Sequence, residues 1–182
     1  MARRPFLDIG LFPHLEPLTA AAAEIAAEAD RVRSHLAAVE DPRTRTGAWR
    51  ALPFRVEPDD ASVFPESVCA AHRALAPITT ELVESIDGVE AYSFSALAPA
   101  SSIARHRHHR PFVTAALCLR GGQGAAITVG DERRPYVDAS WVIFDYTLPH
   151  SVENLGPEDR VVLLVLLPDP RTASRIQAFR GT

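Results

Sequence analysis

From residue 18 to 39 the apolar positions recur three and four apart: Leu18, Ala22, Ile25, Ala29, Val32, Leu36 and Val39. That spacing draws one stripe along an amphipathic helix. Thr19 is the expected N-cap, and Glu40-Asp41-Pro42 the expected stop. A loop over 41–47 follows, then a candidate strand over 49–56. Residues 59–86 return to a helical pattern, with breaks at Pro65 and Pro77. The IDGVE segment, 86–90, reads as a turn.

Beyond Val89 the period shortens. Runs rich in β-formers occupy 90–97, 112–119, 125–129, 141–144 and 160–167, punctuated by Gly, Pro and Asp. Short strands at that spacing predict a sandwich or jelly roll. The run 161–167 (VVLLVLL) is too apolar for a half-exposed strand and predicts a central one covered on both faces. The front helices are its natural cover on one side. The fold class expected is therefore α+β. No repeat or linker divides the chain, so 1–182 reads as a single domain: a mainly helical part (1–87), a β core (88–170) and a basic tail (171–182). The tail, with Arg171, Arg175 and Arg180, is expected as a short helix or a frayed end.

Composition narrows the chemistry. The 19 basic residues are all Arg, against 23 acidic ones, for a net charge of −4. Without Lys, Schiff-base and Lys-base chemistry are excluded. A slightly acidic chain is not a general polyanion binder. Two Cys, Cys69 and Cys118, are too few for a disulfide scaffold and match no zinc spacing, so both are expected as buried thiols in a reducing cytoplasm. Arg3-Arg4 superficially resembles an export signal, but Asp8, Pro13, His14 and Glu16 interrupt the apolar stretch such a signal needs. No apolar run reaches the ~18 residues of a membrane span. The protein is therefore expected to be cytoplasmic.

Three of the seven His fall in one four-residue window, His106, His108 and His109. Positions i and i+2 on a strand face the same way, ~7 Å apart. His106 and His108 can therefore share a cavity, with His109 on the other face. A metal takes imidazole ligands at ~2 Å, so the pair needs a bend at the strand end. The alternative is a solvated, partly cationic strand end. His150 follows a strand and a Pro-containing turn. Arg160 opens the most apolar strand, where an unpaired guanidinium would be costly. Its partner is either a carboxylate of the chain (Asp145, Glu158 or Asp159) or the carboxylate of a ligand, clamped by two parallel bonds.

The segments AYSFSALAPASSIARHRHH (91–109) and ITVGDERRPYVDASWVIFDYTLPHSVENLGPEDRVVLLVLLPDP (127–170) resemble the aspartyl/asparaginyl β-hydroxylase family of non-haem iron oxygenases. APITTELVESIDGVE (76–90) is similar to the helix and turn that precede that family's core. The most specific part is the string Phe144, Asp145, His150, Asn154, Arg160. The resemblance implies a double-stranded β-helix, a jelly roll, holding Fe(II) and using 2-oxoglutarate and O2 to hydroxylate an unactivated C–H bond. On that resemblance His106 and His150 match iron ligands. Arg160 matches the clamp on the distal carboxylate of 2-oxoglutarate, and Ser95 matches a serine supporting it. Phe112, Trp141 and Tyr146 are candidates for the apolar wall of the cavity, or plain core.

The chain also departs from that pattern. An Arg and a His expected on the strand after the first ligand are Thr114 and Ala116 here. The Gly two residues after the first ligand is His108. In related iron oxygenases that position carries the carboxylate of a two-His-one-carboxylate triad. A His there gives a three-His site, His106, His108 and His150, as in dioxygenases whose substrate chelates the metal and which take no 2-oxoglutarate. Three functions stay open: a 2-oxoglutarate-dependent hydroxylase, such a cosubstrate-independent dioxygenase, and a cupin-like module that binds a metal or anion without turnover. Nucleic-acid binding is disfavoured, because the Arg/His run is short and lacks interleaved aromatics. A chain without a recognition domain favours a small-molecule substrate, such as an amino-acid derivative or a natural-product intermediate. Arg105, Arg107 and Arg110 can meet an anion on it or form a solvated rim.

Overall fold

The computed structural model describes residues 4–40, 44–60 and 63–172. Along the first half run β1 (Phe6–Leu7), α1 (Glu16–Ala20), α2 (Ala22–Arg31), β2 (Ala37–Ala38), β3 (Thr44–Thr46), β4 (Trp49–Arg55), α3 (Glu66–Leu75) and α4 (Pro77–Glu84). The second half holds β5 (Ala91–Leu97), β6 (Ser101–His106), β7 (Phe112–Arg120), β8 (Ala125–Val129), β9 (Glu132–Pro135), β10 (Trp141–Asp145), β11 (His150–Asn154) and β12 (Arg160–Pro168). Among the described residues no helix is long and apolar enough to cross a membrane.

Two antiparallel sheets build a double-stranded β-helix. The larger has the order β1-β10-β7-β12-β5-β4-β2, the smaller β3-β6-β11-β8-β9. β12 lies between β7 and β5, as its apolar run requires. Because side chains alternate along a strand, that one run serves two cores. Val161, Leu163, Val165 and Leu167 pack with Leu18, Ile25 and Val83 of the helices. Val162 and Leu164 turn the other way and pack with Ile127 and Val152 of the smaller sheet. The helices thus cover one face of the larger sheet, and the smaller sheet covers the other.

The structure departs from the expected elements in several places. The predicted helix over 18–39 is two helices that meet at Ala21, and the second ends at Arg31. Leu18, Ile25, Ala29 and Val32 are buried, as the stripe demands, but Leu36 and Val39 are only half-buried and lie beyond it. Thr19 caps nothing. It sits inside α1, where its hydroxyl donates to the Leu15 carbonyl and accepts from Trp141 Nε1. Asp41 and Pro42 lie outside the described residues. The breaks at Pro65 and Pro77 hold, since α3 begins just after the first and α4 at the second. Of the two strands that form the site, β6 is anticipated only as the strand end that carries His106, and β11 is not among the predicted strands. Their sequences, SSIARH and HSVEN, carry few β-branched or aromatic residues, because they line a cavity instead of filling a core. After Pro168 a single 3-10 turn covers Pro170–Thr172; Arg175 and Arg180 lie outside the described residues.

Candidate metal centre

β6 and β11 are neighbours, and their register sets His106 opposite His150. The two rings lie 4.2 Å apart. His108 comes two residues after the end of β6, where the chain turns back so that its amide donates to the Tyr146 carbonyl at 3.3 Å. Its ring then stands 5.2 Å from that of His106 and 5.7 Å from that of His150. One nitrogen from each of the three imidazoles falls within a 4.8 Å span. That is little more than twice the ~2.0–2.1 Å of an imidazole–metal bond, so one ion can be held by all three. His106 Nδ1 meets the Ala104 carbonyl at 2.8 Å, and His150 Nδ1 meets the Leu148 carbonyl at 2.9 Å. A carbonyl only accepts, so in both rings Nδ1 carries the proton and the lone pair sits on Nε2. This is the usual orienting bond of a metal-ligating histidine. His109 is exposed, as expected of the other face.

The three histidines open into a cavity of about 640 Å³ between the sheets, which also reaches Ser95 and Arg160. Ile103, Ile127 and Val152 line one wall, and Phe144, Leu164 and Leu166 the other. A shallower hollow of about 390 Å³ on the smaller sheet contains none of the expected site residues. His150 and Asn154 are the two ends of β11, about 13 Å apart at ~3.3 Å per residue. Asn154 marks the Arg160 end: its amide donates to the carbonyls of Leu97 and Glu158, and its oxygen accepts from the Gly156 amide. It thereby shapes the turn that delivers Arg160.

Arg160 is 2% exposed. Its guanidinium lies 4.8 Å over the Tyr136 ring, and its Nε has no hydrogen-bond partner. The carboxylates expected as structural partners are engaged elsewhere or apart from it. Asp145 pairs with Arg171, and Asp159 with Arg33 and Arg50. Among the described residues no carboxylate, Glu158 included, pairs with Arg160. Ser95 is also buried, and its Oγ accepts from Trp49 Nε1 at 3.0 Å.

A profile of the aspartyl/asparaginyl beta-hydroxylase family matches residues 19–170. The chain belongs to that family. No curated protein matches it. Among solved structures, a prolyl-4-hydroxylase from Pseudomonas putida is similar at 20% identity, over 87% of this chain and 88% of its own, with a TM-score of 0.46. A cupin 2 conserved barrel domain protein from Rhodopseudomonas palustris is 11% identical over 74% of this chain and 72% of its own, at 0.45. A predicted oxalate decarboxylase from Thermotoga maritima is 16% identical over 75% of this chain and 96% of its own, also at 0.45.

Thr114 lines the cavity with its hydroxyl buried and without a hydrogen-bond partner. Ala116 packs between the sheets. Of the three wall candidates only Tyr146 lines the cavity. Trp141 packs under the helices and bonds Thr19. Phe112 is buried at the start of β7 but does not reach the cavity. Tyr146 does more than line a wall: it stacks on His108 at 3.8 Å and 7°, and its hydroxyl donates to Glu57 Oε2 at 2.8 Å. Burial raises the Glu57 pKa, opposed by the Tyr146 bond and by the charge of Arg110. Nothing in the sequence around Glu57 singled it out. Cys118 lies in the core between the sheets, apart from the cavity lining. Its thiol donates to Asp138 at 3.5 Å, and its pKa is pushed up to about 12 by burial first and then by the Asp138 charge.

Proposed function

We propose that the protein is a non-haem iron oxygenase that uses O2 and 2-oxoglutarate to hydroxylate a small molecule in the cytoplasm. The observation that carries this reading is Arg160, a buried guanidinium that pairs with no carboxylate among the described residues and lines the same cavity as three convergent imidazoles. A buried cation of that kind calls for an anionic ligand. His106, His150 and His108 would hold Fe(II). When bound, the metal and cosubstrate together would supply the oxidising power to insert one oxygen atom of O2 into a C–H bond, with the other atom leaving in succinate as CO2 is released. The chain's own work is placement. The Nδ1 bonds of His106 and His150 aim their lone pairs. Arg160 presents its guanidinium to the distal carboxylate. Ser95 already accepts from Trp49, so its own hydroxyl hydrogen is available to the same carboxylate. The aliphatic walls keep water from the reacting atoms.

His108 favours a second reading. As a third imidazole it completes a three-His site in which the substrate itself chelates the metal, and Arg160 then clamps a carboxylate of the substrate.

One experiment separates these readings. The protein is loaded anaerobically with Fe(II), 2-oxoglutarate is added, and the visible charge-transfer band is recorded before O2 is admitted and succinate measured. A band followed by O2-dependent succinate is the expected result, and Arg160→Met should raise the 2-oxoglutarate needed for the band about 10–100-fold, the worth of a charge-assisted pair. No band, with O2 uptake on a chelating substrate, selects the second reading. Iron binding without O2 consumption identifies a binding module.

A further inference from the structure

We propose that Tyr146, tethered by Glu57, is a positioning residue that presents His108 to the metal as its third ligand. This rests on the metal-site reading above and adds to it the device that makes a third imidazole available. His106 and His150 stand on paired strands, so the ladder between β6 and β11 sets their direction. His108 lies beyond the end of β6, outside that ladder. Two contacts with Tyr146 help to hold it. The His108 amide bonds the Tyr146 carbonyl at 3.3 Å, and the two rings stack nearly parallel at 3.8 Å and 7°. A parallel stack fixes the plane of the imidazole, and one of its ring nitrogens lies within 4.8 Å of a nitrogen of each of the other two histidines.

Tyr146 is itself one residue beyond β10, where its amide donates to the Phe112 carbonyl at 3.2 Å. Its hydroxyl tethers the ring by donating to Glu57 Oε2 at 2.8 Å, across 89 residues of sequence. Glu57 is steadied in turn by Arg110, whose Nε stands 3.7 Å from Oε1 and whose terminal nitrogen reaches Glu90 at 3.3 Å. The strut therefore joins the segment after β4, the start of β5, the turn after β6 and the turn after β10. Ordering His108 before the metal arrives removes a rotamer cost that binding would otherwise meet. Loss of an outer partner of a metal ligand typically weakens metal affinity about 10–100-fold.

Co(II) titration of the full chain tests this, since its visible absorption reports both affinity and the number of ligands. His108→Ala and Tyr146→Leu should each weaken Co(II) binding about 10–100-fold and produce the same change of spectrum. The double variant should be no weaker than His108→Ala alone, because the strut acts only through that ring. Tyr146→Phe, which keeps the stack and loses the tether, should fall between wild type and Tyr146→Leu. Glu57→Ala should match it, whereas Glu57→Gln, which still offers an oxygen to the phenol, should restore wild-type binding. If Tyr146→Leu fails to fold in a thermal melt, the Phe and Glu57 variants carry the test. Additive losses in the double variant, or Tyr146→Phe and Glu57→Ala binding like wild type, overturn the strut. Unchanged affinity in His108→Ala overturns it while leaving a two-histidine site standing. Failure of the wild-type protein to bind Co(II) overturns the metal reading and the strut together.

Discussion

A charge removed from water costs several kcal/mol unless a counter-charge compensates it, and the two neighbours Asp159 and Arg160 meet that demand in different ways. Asp159 draws two cations, Arg33 at 2.9 Å and Arg50 at 2.6 Å. Arg160 lines the cavity and pairs with no carboxylate among the described residues. Neighbours in sequence, the two meet different surroundings, and sequence proximity therefore misleads about pairing. At this scale His106, His108, His150 and Arg160 stand out as candidates by their chemistry, whereas Ser95 is singled out only by the family resemblance. Tyr146 was legible only as a wall, and Glu57 not at all, since its partner is remote in sequence. Cys118 was a bland buried thiol in the sequence and is one in the fold. With its pKa pushed up to about 12, it should stay unreactive to Ellman's reagent at pH 8 and react fully in denaturant. The folded value exceeds the unfolded ~8.5, so the native state holds its proton where the unfolded state releases it. Stability from this group is therefore complete below pH ~8.5 and declines as pH rises toward 12, by up to about 1.4 kcal/mol per pH unit. Urea unfolding at pH 8 and pH 10 should show that decline, and a Cys118→Ala variant with the same pH dependence as wild type would contradict it.

At the scale of elements, the hydrophobic stripe located the first helices but could not say what Glu28 does. On a helical wheel it is one more polar residue, yet it is fully buried. Its carboxylate accepts from the amides of Ile78 and Thr79 at 3.0 and 2.8 Å and from the Thr79 hydroxyl at 2.7 Å. Those amides open α4, whose own N-cap, Ala76, has no side chain to offer them. A residue of α2 thus caps α4, locks the two helices together, and places a negative charge at the positive end of the helix dipole. Glu28→Ala should cost about 2–3 kcal/mol, the range of buried charge-assisted bonds, with a lowered urea midpoint and an unchanged m-value. A loss below ~0.5 kcal/mol would show that water replaces the carboxylate. The site strands β6 and β11 were obscure for a related reason. A strand that borders a cavity need not be apolar, so periodicity falls silent where function begins.

Across the whole molecule, Arg171 gathers distant parts of the chain. It bonds Asp145 and Asp169, each at 2.8 Å, and the Arg4 carbonyl at 3.1 Å. Both carboxylates are almost fully buried, with side chains 1% and 3% exposed. Asp145 also accepts from the Thr147 amide and hydroxyl, and so shapes the turn between Tyr146 and His150. Arg171→Ala removes a cation that two buried carboxylates share and should cost about 3–5 kcal/mol. Arg171→Lys should recover only part of it, because an ammonium lacks the planar fork that serves three acceptors. Calorimetric melting of the three proteins checks this, and a loss under ~1 kcal/mol for the Ala variant would refute the clamp.

The pattern of residues alone determined the β-rich second half, the central strand over 161–167 and the identity of the residues that can hold a metal and an anion. These follow from local rules: strand and helix periods, the cost of burying charge, and the few side chains able to ligate. Tertiary structure decided which of them meet. It bent the end of β6 so that His108 joins the other two rings. It also carried Asp145 and Asp159 to other arginines and left Arg160 facing the cavity. It set Glu57 under Tyr146. Each of these is a contact between segments far apart in the chain, and such contacts arise only when strands choose their neighbours.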